Sequence, residues 1–522
     1  MSLGVAMNPA GRARRLRPLG LAAGGLALAL AAMAGCGSPL RFPAEPAATN
    51  PTDAGLLHAY DLDGDGRPDY FTIPDAAGRV VRIAYDTNSD GRPDSFVDLD
   101  AIPAAECRHV VLILDGIGYD TVEEFQRAGR LRLFHPPARL LSTFPAMTDI
   151  ALADVFQSTP CIGLEAVHFD HQANRIVGGD ADYLSMKNED WARFTDYRAG
   201  TLTDPLAYLY PNAIFRQELG DLLRLFDRRD RPLIVAYFVS TAGLGTREGL
   251  DGQRKVLDAM DRLSQELVWK TRGLVKITML SDHGHALARA RRIEWAPFLV
   301  PKGWRVTDRL EEPRDVAPIE YGIITYASFA TRDRPALAAT LLEHPGVDLV
   351  TYTEGDSVVV ERAGANGRAA IERRGSRYRY RAAQGDPLEL APVIEKMAAE
   401  NLLGADGFAD DREWLRFTVA HRYPDALDRL WRVFHGQTEH VPDVIASLKE
   451  GYCAGSASRA FWLPYIASTH GDLERKSSTA FIVSTAGPIA TRWPLLRHRD
   501  APQVLRELTG RPWPPERGGG AQ

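Results

Sequence analysis

Four short stretches of the sequence carry side chains able to hold a metal ion or an anion. Asp282 and His283, adjacent in Ser281-Asp282-His283-Gly284-His285, offer a hard oxygen and a borderline nitrogen, a pair suited to zinc or manganese. Asp115 follows the apolar run Val110–Leu114 and precedes Gly116-Ile117-Gly118, where glycine lets backbone come close to a ligand. Thr148, in Ser142-Thr143-Phe144-Pro145-Ala146-Met147-Thr148-Asp149, stands just before the apolar helical stretch Ile150–Phe156. A hydroxyl there has free backbone N–H groups beside it to hold an anion; the same placement also suits an ordinary helix cap. The fourth stretch is Ser468-Thr469-His470-Gly471.

A second kind of pattern occurs twice near the start. Tyr60-Asp61-Leu62-Asp63-Gly64-Asp65-Gly66-Arg67-Pro68-Asp69 is matched 25 residues later by Tyr85-Asp86-Thr87-Asn88-Ser89-Asp90-Gly91-Arg92-Pro93-Asp94. Oxygen donors fall at Asp61, Asp63, Asp65 and Asp69, and again at Asp86, Asn88, Asp90 and Asp94, with Gly66 and Gly91 supplying the sharp turn of a calcium loop. The closing glutamate of an EF-hand and its flanking helices are missing, so the pair resembles the short calcium repeats of thrombospondin type 3 and dockerin. The alternative is a pair of Asp-Gly turns joining hairpin strands such as Tyr70–Ile73 and Val80–Tyr85.

The elements that must position the first four stretches are strands and helices in alternation. His109–Leu114, Leu233–Val239, Val275–Leu280 and Thr479–Val483 are short aliphatic runs without polar alternation, which suits strands buried on both faces of a mainly parallel sheet. Between them lie amphipathic helices; in Arg254–Thr271, Val256, Leu257, Met260, Leu263, Leu267 and Val268 fall on one stripe. The expected fold class is α/β, with a mainly parallel central sheet and helices on both faces. In such sheets ligands bind beyond the carboxyl ends of the strands, where Asp115 and Asp282 stand. Residues 349 to 390 break the pattern: Val358-Val359-Val360 and the alternating Arg377-Tyr378-Arg379-Tyr380-Arg381 predict a small antiparallel insertion. The tail from Arg511, rich in proline and glycine, is expected to fray.

Together the four stretches resemble the alkaline phosphatase superfamily, in its type I phosphodiesterase and nucleotide pyrophosphatase branch. The matching elements are Val111-Leu112-Ile113-Leu114-Asp115-Gly116, Phe144-Pro145-Ala146-Met147-Thr148, Ser281-Asp282-His283-Gly284 and Ser468-Thr469-His470-Gly471, in the family's order, within a domain expected over 108 to 510. The resemblance implies that Thr148 is a nucleophile and that one metal is held by Asp115, Thr148, Asp282 and His283. It also implies that His470 serves a second metal, whose other ligands come from a T-D-x-x-G-H-x-x-G element.

That element departs from the pattern. The segment reads Thr241-Ala242-Gly243-Leu244-Gly245-Thr246-Arg247-Glu248-Gly249, so alanine stands at the aspartate position and threonine at the histidine position. His470 alone would bind a second ion poorly, since zinc sites normally use three or four protein ligands. Glu165, His168, Asp170 and His171, together with His285 and Glu248 beside family positions, are candidate replacements or pocket residues.

The chain begins with the basic stretch GRARRLRP and an apolar run from Leu19 to Met33, the form of a secretory signal. Met33-Ala34-Gly35-Cys36 resembles a bacterial lipobox, which implies cleavage after residue 35 and lipid on Cys36; the alternative is an ordinary signal peptide with an incidental cysteine. Export, membrane attachment through that lipid and, since residue 37 is glycine, the outer membrane are expected. Residues 36 to 57, rich in Pro, Ala and Thr, are expected to be a tether, and 58 to 100 the calcium-loop segment. The 522 residues carry 62 basic and 68 acidic side chains, and without the first 35 the net charge is −10, which argues against nucleic acid as a partner. An oxidising compartment would permit one disulfide among Cys107, Cys161 and Cys453. Two functions are therefore expected to compete: a metal-dependent hydrolase of phosphate mono- or diesters, and a non-catalytic envelope lipoprotein that keeps the fold to bind a ligand or partner.

Overall fold

Two strands that end in the candidate acids lie side by side at the centre of a six-stranded sheet. Its spatial order is Leu233–Phe238, Arg108–Leu114, Val275–Leu280, Thr479–Ser484, Ala138–Leu141 and Leu496–Arg497. This computed structural model describes residues 38 to 516 apart from 53, 54, 202, 229, 365, 366 and 464. The export segment and Cys36 lie outside the described residues. Met1–Pro39 and Leu40–Gln522 form separate contact units, and every element named here belongs to the second.

The first three strands of the sheet run parallel, with Val111 opposite both Val235 and Thr278. Thr479–Ser484 then runs antiparallel to both neighbours, and Leu496–Arg497 returns parallel to Ala138–Leu141. Five of the six strands thus point the same way and Thr479–Ser484 alone opposes them, an exception the apolar pattern does not reveal. The physical reason is that a strand buried on both faces reads as an unbroken apolar run in either direction, so the pattern reveals burial but not polarity. On one face Val110, Leu112 and Leu114 join a core built from the helices Tyr119–Arg127, Pro211–Asp227 and Leu250–Lys270. The predicted stripe of the last helix is buried along its whole length, from Val256 to Val268.

The second large sheet changes the reading of residues 349 to 390. They do not form a small separate insertion. The strands Val347–Glu354, Ser357–Glu361, Arg368–Arg374 and Arg377–Gln384 form part of a nine-stranded sheet that also contains Tyr326–Thr331 and Val444–Leu448. The alternation read from the sequence holds locally: Tyr378 and Tyr380 are buried, while Arg377 and Arg381 face solvent.

The duplicated aspartate loops join strands of a five-stranded antiparallel meander, Ala48–Thr52, Gly55–Tyr60, Tyr70–Pro74, Val80–Tyr85 and Ser95–Asp98. Tyr60, Tyr70, Val80, Ile83 and Tyr85 share the core of the six-stranded sheet. Part of the expected tether is docked as well. Leu40 and Phe42 are buried in this core, and the backbone N–H groups of Arg41 and Phe42 donate to Glu266 Oε2 at 2.7 and 3.1 Å. The tail is anchored up to Trp513, whose indole N–H donates to the Val155 carbonyl at 2.8 Å. Cys107, Cys161 and Cys453 are buried free thiols, so the permitted disulfide is not formed. Among the described residues no helix is long and apolar enough to cross a membrane.

Candidate metal centre

Asp115 and Asp282 leave the carboxyl ends of neighbouring parallel strands, as the rule for ligand placement in such sheets requires. Gly116 follows Asp115 at φ +74°, and a Cβ there would lie 2.5 Å from His285 Nε2. Only glycine allows that turn and that approach together. The Gly116 N–H donates to Asp282 Oδ1 at 3.0 Å, locking the two strand ends together. Gln253, on the long helix Leu250–Lys270, donates to the Gly116 carbonyl at 2.7 Å.

Thr148 is the first residue of the helix Thr148–Phe156; Met147 occupies the cap position and makes no side-chain cap bond. The cap reading of Thr148 is therefore replaced by a contact across the site. Thr148 Oγ1 lies 3.3 Å from His283 Nε2. The same nitrogen is 3.3 Å from Asp282 Oδ2 and 3.5 Å from Asp115 Oδ1. All four predicted residues of the first metal position thus converge.

The protonation of this group decides its chemistry. His283 Nδ1–H donates to the Gly284 carbonyl at 2.9 Å, which leaves Nε2 as a bare acceptor. Burial pushes the His283 pKa down to about 3, so the ring stays neutral. Asp115 Oδ1 and Asp282 Oδ2 are buried with no hydrogen-bond partner among the described residues. Burial, and then the charge of Asp282, hold the Asp115 carboxyl well above the usual carboxylate range; burial raises Asp282 too. Three lone-pair donors face one another with only the Thr148 hydroxyl beside them to donate a proton, and a shared cation or added protons would relieve this. One nitrogen and two carboxylate oxygens, with a hydroxyl alongside, match the donor set of zinc or manganese.

His470 stacks on His283 with ring centroids 3.7 Å apart, and its Nδ1–H donates to the Ala146 carbonyl at 2.8 Å. Its Nε2 is therefore also bare. Burial and the neighbouring His283 push its pKa down to about 3. Ala242 and Thr246, buried in the helix Ser240–Glu248, offer neither of the ligands that the resemblance expects.

Of the other candidates only two belong to the site. His285 lies within it, and Glu165 lines the adjoining cavity, where burial pushes its pKa up to about 7. His168 stacks on His440, Asp170 closes a turn onto Gln172 and Ala173, and His171 lies 3.7 Å from Asp443. Glu248 pairs with Lys255 and Asn212. The calcium-loop residues form a separate group: Asp61, Asp63 and Asp65 converge. The two loops close alike, with Asp61 Oδ2 accepting from Gly66 N–H at 2.9 Å and Asp86 Oδ2 from Gly91 N–H at 2.5 Å. Arg67 links them by donating to the Ser89 carbonyl at 2.8 Å.

The cavity above Thr148 measures about 440 Å³. It is lined by Tyr183, Trp191, Tyr208, Tyr237 and Tyr321 as well as by Asp115, Thr148 and His470. Tyr237, which donates its hydroxyl to Asp115 Oδ2, was not singled out from the sequence. A tyrosine in an apolar strand reads as core, and its only signal was its place on the strand beside Arg108–Leu114.

Neither a protein-family model nor a curated protein matches this chain. Among solved structures, phosphonoacetate hydrolase from Sinorhizobium meliloti 1021 aligns at 13% identity and TM-score 0.41, over 79% of this chain and 96% of that one. Murine ectonucleotide pyrophosphatase/phosphodiesterase 5 aligns at 12% identity and TM-score 0.40, covering 79% and 97% of the two chains. Its human counterpart gives 12% identity and TM-score 0.42 over the same shares. Likeness at this level assigns no family.

Proposed function

We propose that this chain is a metal-dependent phosphoester hydrolase that uses Thr148 as nucleophile. The observation that carries this reading is the contact of the Thr148 hydroxyl with a buried set of lone-pair donors, Asp115, Asp282 and His283, beside a cavity lined by Asp115, Thr148 and His470. A divalent ion held by Asp115, Asp282, His283 and Thr148 would lower the pKa of the hydroxyl and polarise a phosphoryl oxygen. Thr148 Oγ1 then forms a bond to phosphorus as the bond to the leaving oxygen breaks; the hydroxyl proton passes to water in the cavity, and the leaving oxygen takes one up from it. The first helical turn, whose N–H groups lack intrahelical acceptors, faces the phosphoryl oxygens. Water releases phosphate or its monoester from Thr148 in the second half of the reaction. Tyr237 holds Asp115 in place throughout.

The absent ligands at Ala242 and Thr246 favour the second reading, a binding lipoprotein without catalysis. The hydrolase reading is preferred because every residue of the first position is present and converges. Thr148→Ala should reduce turnover of a chromogenic phosphodiester to background at unchanged thermal stability; turnover equal to that of the native chain would eliminate the nucleophile.

We further propose that the paired aspartate loops hold calcium in a structural role. The support is the doubled ligand spacing and the identical way in which both loops fold. Calcium should raise the thermal midpoint of the chelated protein, and Asp61→Ala with Asp86→Ala should remove that rise; a midpoint indifferent to calcium would leave only turns. The sequence around Cys36 supports export and anchoring by lipid at the cell envelope. Cys36→Ala should move the protein from the membrane to the soluble fraction, and continued sedimentation with membranes would refute the anchor.

A further inference from the structure

His285 is the buried titratable group for which the nucleophile and the first metal position have no use. It is 1% exposed, and its Nε2 is buried without a hydrogen-bond partner among the described residues. Its Nδ1 lies 3.2 Å from Ser468 Oγ, which also accepts from the Leu287 N–H at 2.8 Å. With Nδ1–H donating to that hydroxyl, Nε2 presents a bare lone pair, and the serine fixes the ring as outer partners of metal-bound histidines do.

The ring occupies a specific place. A Cβ on Gly116 would lie 2.5 Å from His285 Nε2, and one on Gly245 would lie 3.2 Å from its Cε1. Gly245 belongs to the helix Ser240–Glu248, on which Ala242 and Thr246 stand where an aspartate and a histidine are expected. Two small residues and a glycine leave room, and His285 reaches into it from the loop after Val275–Leu280. Its ring centroid is 5.4 Å from that of His470. One ring nitrogen from each of His283, His285 and His470 lies within 4.8 Å of the others.

We propose that His285 and His470 form a second transition-metal position, in which a histidine from this loop replaces the two ligands missing from the helix. His283 Nε2 faces Asp115 and Asp282 and serves the first ion, since its Nδ1 is committed to Gly284. His470 Nε2 and His285 Nε2 are free for the second. Imidazole nitrogens suit zinc or cobalt and not calcium or magnesium. Two imidazoles leave the remaining coordination positions to water or a substrate oxygen, one protein ligand fewer than the three usual in catalytic zinc sites. This inference rests on reading Asp115, Asp282 and His283 as a cation site, and it goes beyond the nucleophile to the number and ligands of the ions.

Metal content decides it. Chelated protein is loaded with cobalt(II), freed of excess ion and analysed for bound cobalt per chain, with the visible absorption of the bound ions recorded alongside. The native chain should hold two ions; His285→Ala, His285→Gln and His470→Ala should each hold one and lose the same part of the absorption. Circular dichroism identifies any variant that fails to fold, and the conservative glutamine then carries the comparison. A native chain with one ion, or a folded His285 variant with two, would overturn the second position. Failure of the hydrolase reading would appear separately, as turnover retained by Thr148→Ala while the ion counts behave as stated.

Discussion

Three lone-pair donors meet in the interior of this protein with only the Thr148 hydroxyl beside them to donate a proton. His283 presents a bare Nε2 because its other nitrogen is bonded to the Gly284 carbonyl, and the free oxygens of Asp115 and Asp282 close on it at 3.5 and 3.3 Å. In water each would be solvated; here all three residues are buried. Burying such groups unpaired costs several kcal/mol each, about 1–3 even for a neutral polar group. A cation shared by the three would offset that cost, and the Thr148 hydroxyl is placed against them.

The rest of the central architecture maintains that convergence. Two adjacent parallel strands end in the two acids, and Gly116 lets the first chain turn sharply enough for its N–H to bond to Asp282. Gln253 is itself held by the Thr121 hydroxyl, so the long helix fixes Gly116 from behind. The Thr241 hydroxyl donates to the Asp115 carbonyl, and Tyr237 to its carboxylate. Phe144, Ile150 of the Thr148 helix and Tyr326 of the nine-stranded sheet share one core, which ties that helix to the second layer. Each of these contacts comes from a different segment, so the geometry exists only in the folded chain.

How much of this was legible depended on whether the information lay in contiguous residues. Asp115, Thr148, Asp282, His283 and His470 sit in short strings with distinctive neighbours, and the structure gathers all five. The Leu250–Lys270 helix was equally plain, because its period is carried by its own residues. Strand direction was not, since Thr479–Ser484 has the same apolar face whichever way it runs. The strands between 347 and 384 were visible as strands, but their membership of a nine-stranded sheet depends on partners as remote as Val444–Leu448. The docking of Leu40 and Phe42 was hidden by the Pro- and Ala-rich composition around them. His285 was a candidate only through its place beside Asp282 and His283, because what distinguishes it is the space that Gly116, Ala242 and Gly245 leave.

The most direct measurement of the central claim is the position of zinc in crystals of the metal-loaded protein, from anomalous scattering at the zinc absorption edge. The account predicts a peak bonded to Asp115, Asp282 and His283, with Thr148 Oγ1 in the same coordination sphere at about 2.0–2.2 Å, the usual zinc–oxygen range. An empty centre at full zinc loading, or an ion that leaves the threonine oxygen beyond bonding distance, would contradict it.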